Sequence, residues 1–194
     1  MKSTEQQPYL QLYPENIIDL PKNNIAIVGF MGTGKTTVGK ILSTKCGLTF
    51  VDVDECITNK AAMDIPSIFN RYGESYFRDL EEDILKEIFS HEHQVISCGG
   101  GVVTKEVNRQ MLKKNAVNCW LYNTLETSLS RIKVASRPLL DGSDPDEKAM
   151  NLYRVREALY LEVAHCSICT ENLSQIEIAD IICENIYRPI FCRS

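Results

Sequence analysis

Apolar and polar residues change period several times along this chain, and the changes mark out alternating strands and helices. Ile25-Ala26-Ile27-Val28 is a short unbroken apolar run, the pattern of a central parallel strand buried on both faces. Behind it Val38, Ile41 and Leu42 recur at helical spacing, and Gly47 stands where a helix C-cap belongs. Leu48-Thr49-Phe50-Val51 predicts a second strand, ending in Asp52-Val53-Asp54. Residues Glu55 to Phe89 read as helical with breaks near Pro66 and Gly73, and Leu80, Ile84, Leu85 and Ile88 form the apolar stripe of the segment from about Phe77. Gln94 to Ser97 and Ala116 to Tyr122 predict two more strands, the latter followed by a helix bearing Leu125, Leu129 and Ile132. Periodicity fails over residues 133–147, which include Pro138, Gly142 and Pro145; a loop of that length is most economically a lid. A helix from Glu147 carries Met150, Tyr153, Arg154, Arg156, Tyr160 and Val163, then a strand near Cys166 to Thr170 and a helix from Ser174 to Tyr187 end the pattern. This alternation predicts an α/β fold of three layers around a five-stranded parallel sheet, doubly wound.

Composition narrows the class without changing it. A chain of 194 residues accommodates one well-filled core, so residues 23–194 are expected to form a single domain, with a helical insertion at about 54–90 and the lid at about 133–147. Residues 1–22, with Pro8, Pro14 and Pro21, read as an extended N-terminal arm. They lack an apolar core segment and any Arg, which excludes a signal peptide and disfavours a transit peptide. No apolar run approaches the roughly 20 residues that span a bilayer. The expectation is a soluble cytoplasmic monomer with no membrane partner. A formal net charge of −5 argues against generic nucleic-acid binding, so cations for an anionic ligand must be placed locally. Eight scattered cysteines read as reduced thiols, several of them small core residues. Cys166-Ser167-Ile168-Cys169 does spell C-x-x-C, but the second pair that a zinc ribbon needs is missing.

Chemistry enters at Gly29-Phe30-Met31-Gly32-Thr33-Gly34-Lys35-Thr36, which fits G-x-x-x-x-G-K-[ST] between a predicted strand and a predicted helix. Its glycines let successive backbone N–H groups turn inward on a polyphosphate, and the helix start adds its positive end. Gly32, Thr33, Gly34, Lys35, Thr36 and Thr37 are the candidate nucleotide-binding residues, Lys35 reaching the terminal phosphates and Thr36 offering a hydroxyl to Mg2+. Asp52 and Asp54, placed by period-2 alternation on one side of a strand end, could hold the metal and accept a proton from an attacking hydroxyl; helix capping is the competing use of such residues. Arg78 lies near a helix start, where the dipole disfavours cations, so it either serves a ligand or pairs on the surface with Glu81 or Glu82. Gly99-Gly100-Gly101 allows close backbone approach to a ligand, although such runs are often plain turns. Arg137 in the lid could swing onto the phosphates or stand exposed.

Together these pieces resemble the shikimate kinase family, small P-loop kinases of the aromatic amino-acid pathway, from about Asn24 to Tyr187. The resemblance is carried by Gly29 to Thr37, Asp52-Val53-Asp54, Gly73-Glu74-Ser75-Tyr76-Phe77-Arg78 with Glu81, Gly99 to Gly101, Arg137-Pro138-Leu139-Leu140, and Arg156-Glu157-Ala158-Leu159-Tyr160 with Ala164. It implies ATP-dependent phosphorylation of the 3-hydroxyl of shikimate, with Mg2+ as cofactor. Arg78 and Arg156 would then grip the acceptor carboxylate, Asp54 and Gly99 to Gly101 would line the acceptor pocket, and Lys35 and Arg137 would hold the phosphates. Thr36 and Asp52 would serve the metal, and Arg131 would match a family arginine near adenine. The arm has no counterpart in compact family members. A gluconate kinase shares the cradle without needing paired arginines for a ring carboxylate, and a silent nucleotide-binding module would have lost Lys35 or the acidic pair.

Overall fold

The computed structural model describes residues 9–13, 24–131, 139 and 144–192. Strands β1 (Leu10–Leu12), β2 (Ile25–Val28), β3 (Thr49–Asp52), β4 (Gln94–Ser97), β5 (Val117–Tyr122) and β6 (Cys166–Cys169) form one sheet in the order β1-β6-β5-β2-β4-β3. β2 to β6 are parallel, as expected from the sequence. The sixth strand is a correction: β1 comes from the N-terminal arm and pairs antiparallel with β6. Tyr13 N–H donates to the His165 carbonyl at 2.8 Å and Cys169 N–H donates to the Tyr9 carbonyl at 3.0 Å, which caps an edge that would otherwise expose β6.

The two faces of β2 explain the layers. Ile25 and Ile27 pack with Val38 and Leu42 of α1 (Lys35–Cys46) and with Ile178 and Ile182 of α7 (Gln175–Ile182). Ala26 and Val28 turn to the opposite core, built by α2 (Val53–Ala61), α3 (Ile65–Ile88), α4 (Glu106–Asn115) and α6 (Pro145–Val163). All four residues are fully buried, and each large apolar side chain so placed contributes about 1.5–3 kcal/mol. The remaining described helices are α5 (Leu125–Ser130), a 3-10 turn at Val102–Thr104 and α8 (Arg188–Phe191), the last continuing from α7 through a π-helical turn at Cys183–Tyr187.

Local punctuation follows the sequence in most places. Gly47 is a left-handed C-cap at φ 67°. Pro66 sits in the first turn of α3, whose N-cap is Asp64, and Gly73, at φ 80°, kinks that helix. α6 starts two residues earlier than expected, because Asp144 caps it and Pro145 opens it. One alternation does not hold. β3 ends at Asp52, which caps α2, so Asp54 belongs to a first helical turn and not to a strand.

Candidate active site

The loop after β2 is shaped by contacts that leave no room for side chains. Gly29 takes φ 144°, and a Cβ there would collide with the Leu121 carbonyl; Gly32 takes φ 81°, and a Cβ would lie 2.5 Å from the Ser128 carbonyl. The loop is therefore pressed between β5 and α5. Thr33 turns its buried hydroxyl onto the Phe30 carbonyl at 2.8 Å and so braces the loop from within. Gly34 is the N-cap of α1 and supplies no side-chain cap, which leaves the first N–H groups of that helix for an anion. Gly32, Gly34, Lys35, Thr36 and Thr37 line a cleft of about 820 Å³ with Asp52, Asp54, Ser97 and Arg131. Lys35 Nζ donates to the Phe30 carbonyl at 2.8 Å and so lies across the loop.

Oxygen donors gather beside Lys35. Thr36 Oγ1 donates to Asp52 Oδ2 at 2.9 Å and lies 3.2 Å from Ser97 Oγ. Asp52 Oδ1 meanwhile accepts from the N–H groups of Asp54 and Glu55, so this one carboxylate both caps a helix and faces the cleft. Hydroxyls plus one carboxylate suit a hard divalent ion that keeps waters and phosphates in its shell, so the residues present fit Mg2+. Ser97 was not among the residues singled out from the sequence. Its partner Asp52 is level with it across β3 and β4, a relation that needs the strand order.

A second cleft of about 530 Å³ adjoins the first and shares Met31, Asp54 and Gly100 with it. Arg78, Glu81, Gly99, Gly101 and Arg156 supply its polar wall, and Ile65, Phe69, Phe77 and Leu139 supply apolar surface. Two of the three glycines stand hard against functional side chains. A Cβ at Gly101 would fall inside the Arg78 guanidinium, and one at Gly99 would lie 2.7 Å from Asp54 Oδ1. Arg78 is buried, donating from Nη1 to Glu81 at 2.9 Å and from Nη2 to Glu74 at 3.0 Å. It therefore does pair with Glu81, yet inside the protein and at the wall of a cleft instead of on the surface. Burial raises the Glu81 carboxyl to about 7 against the pull of Arg78, and Asp54 adds to the rise.

Arg156 is the most demanding residue of the site. It is 3% exposed, and among the described residues no carboxylate pairs with it. Its Nη1 reaches the Gly100 carbonyl at 3.4 Å. Burial pulls its guanidinium down from the usual value, and Arg78 pulls the same way. Glu74 and Glu81, beyond ion-pair distance, offset this only in part, so an anion arriving at the guanidinium would be favoured. Arg137 and most of the expected lid fall outside the described residues.

One cleft presents a glycine-shaped loop at a helix start and the other two buried guanidiniums, and they share Met31, Asp54 and Gly100 at the carboxyl ends of the strands. That architecture is the one used by P-loop kinases of small molecules. The shikimate kinase family model matches residues 31–187, and the chain belongs to that family. A shikimate kinase of Thermodesulfovibrio yellowstonii is 43% identical over 166 residues, covering 85% of this chain and 95% of that one. Among solved structures, shikimate kinase from Acinetobacter baumannii in complex with shikimate superposes with a TM-score of 0.84 at 37% identity, over 89% of this chain and 97% of that one. Shikimate kinase from Aquifex aeolicus gives 0.76 at 32% identity, over 87% and 98%.

Proposed function

We propose that this ATP-dependent kinase transfers the γ-phosphoryl group of ATP to the 3-hydroxyl of shikimate, giving ADP and shikimate 3-phosphate in aromatic amino-acid biosynthesis. The observation that carries this reading is the pair of buried guanidiniums, Arg78 and Arg156, set on the same glycine run as Asp54. Two planar forks recognise a carboxylate with a direction that lysine would not give. A gluconate kinase needs no such pair.

In this reading the acceptor carboxylate docks on Arg78 and Arg156, which turns a ring hydroxyl toward Asp54. Asp54 takes the hydroxyl proton as the oxygen bonds to the γ-phosphorus, while the bond to the β–γ bridging oxygen breaks and ADP leaves. The backbone N–H groups of Gly32, Thr33, Gly34 and Lys35, with the Lys35 ammonium, offset charge on the equatorial oxygens. Thr36 and Asp52, joined by Ser97, would hold Mg2+, which when bound neutralises charge on the phosphates. Positioning in adjoining clefts does most of the remaining work. Eight free cysteines fit a reducing compartment such as the cytoplasm.

The test is ADP formation from ATP and Mg2+ with shikimate, with gluconate, and with neither. Turnover that waits for shikimate is expected. Turnover with gluconate alone, or equal hydrolysis in all three arms, would overturn the reading.

A further inference from the structure

The Gly100 carbonyl has two donors, and they are not equivalent. Arg156 and Tyr160 stand one turn apart on α6 and therefore share a face. The Tyr160 hydroxyl makes the close hydrogen bond to Gly100 O, whereas Arg156 Nη1 stays at 3.4 Å. Tyr160 is completely buried, and burial pushes its hydroxyl up, so it remains a donor. Its ring stacks on Trp120 at 6.1 Å with 25° between planes. Trp120 pairs in register with Val28, the residue before the loop that cradles phosphate. On its other side Gly100 leans on that loop: a Cβ there would lie 3.5 Å from Met31 N and 3.7 Å from Gly29 O.

The Gly100 carbonyl lies half-buried at the wall the two clefts share, and Tyr160 and Arg156 are the side chains that donate to it. Without the Tyr160 hydroxyl the nearest one is Arg156, which would close on Gly100 and turn a nitrogen away from the cleft. We propose that Tyr160 is a positioning residue for acceptor recognition: by satisfying the Gly100 carbonyl it keeps the Arg156 guanidinium directed at the acceptor's carboxylate. This inference rests on the acid acceptor assigned above. Because Tyr160 acts through Arg156, its effect belongs to the acceptor and not to the nucleotide.

The experiment is a double-mutant cycle with Tyr160→Phe, which keeps the ring, and Arg156→Ala. Wild-type turnover of shikimate comes first; its absence refutes the functional reading itself. With that activity in hand, Tyr160→Phe is expected to raise the KM for shikimate about tenfold, the loss of one hydrogen bond's worth of placement. The KM for ATP should stay within about twofold and kcat within about threefold, and in the Arg156→Ala background the same change should cost almost nothing more. Isothermal titration calorimetry reads shikimate binding without turnover, and the Kd should shift as the KM does. An unchanged shikimate KM, equal losses for ATP and shikimate, or effects of the two substitutions that multiply would each overturn the proposal. A Tyr160→Phe protein that no longer melts cooperatively would overturn it as well, because the hydroxyl would then serve the fold.

Discussion

At the scale of single residues, the site separates groups that move a proton from groups that place a charge. Asp54 is assigned the proton, so Asp54→Asn should lower kcat by at least about 100-fold while shikimate still binds, checked by steady-state kinetics beside a binding titration. Arg78 is assigned the carboxylate, so Arg78→Ala should raise the shikimate KM by about 100-fold and change kcat far less. Full activity in the Asp54→Asn enzyme would remove its role. Glu81, fully buried behind Arg78, makes a prediction about pH. Its folded-state value of about 7 lies above the ordinary 4.5, so between those values the folded chain holds a proton that the unfolded chain has released. Stability contributed by that proton is complete below about 4.5 and is lost as pH rises toward 7. Urea unfolding at pH 5 and pH 8 should show a larger drop for the wild type than for Glu81→Gln; identical drops would mean that Glu81 does not titrate in this window.

Elements decide where those residues point. The kink at Gly73 restarts α3 one turn before Arg78, which lets Glu74 and Glu81 bracket the guanidinium. Because Gly73 sits at φ 80° with open space around its Cα, Gly73→Ala strains the backbone without a clash. About 1 kcal/mol of stability should go, with a rise in the shikimate KM as Arg78 shifts, measured by melting and kinetics together. Pro66 and Gly73 were legible as punctuation because each residue type restricts or frees the backbone wherever it stands. β1 was not legible: Leu10–Leu12 is too short to show a period, and only β6 beside it makes it a strand. Removing residues 1–13 should lower Tm by roughly 4 °C and leave kcat unchanged. A truncated protein that melts like the full chain would show that the edge strand adds no stability.

For the whole molecule, the two clefts form one reaction volume because β2 stands between β4 and β5, where the chain crosses from one half of the sheet to the other. The net charge of −5 is offset locally by Lys35, Arg78, Arg131 and Arg156, which share the cleft walls with Asp52, Asp54 and Glu81. A chelator in excess over metal should abolish turnover, Mg2+ should restore it, and Ca2+ should do so poorly, since Thr36, Asp52 and Ser97 would hold the ion and Ca2+ prefers a larger, looser oxygen shell than Mg2+. Turnover that persists in the chelator would refute the assigned cofactor.

The residues by themselves determined the strand that feeds the phosphate loop, the loop's chemistry, the helix breaks and the parallel α/β plan, because each rests on periodicity or on a backbone restriction that is local. They also singled out Asp54 from its strand-end position and Arg78 from its place at a helix start, and Arg156 through the order of family motifs. Only the tertiary structure decided that Arg78 is a buried member of an ion pair, that Asp52 caps a helix while facing Thr36 and Ser97, and that Tyr160 relieves Arg156 at the Gly100 carbonyl. Those relations join residues that are 16 to 61 positions apart or depend on burial, and separation and solvent exposure are set by how the layers pack.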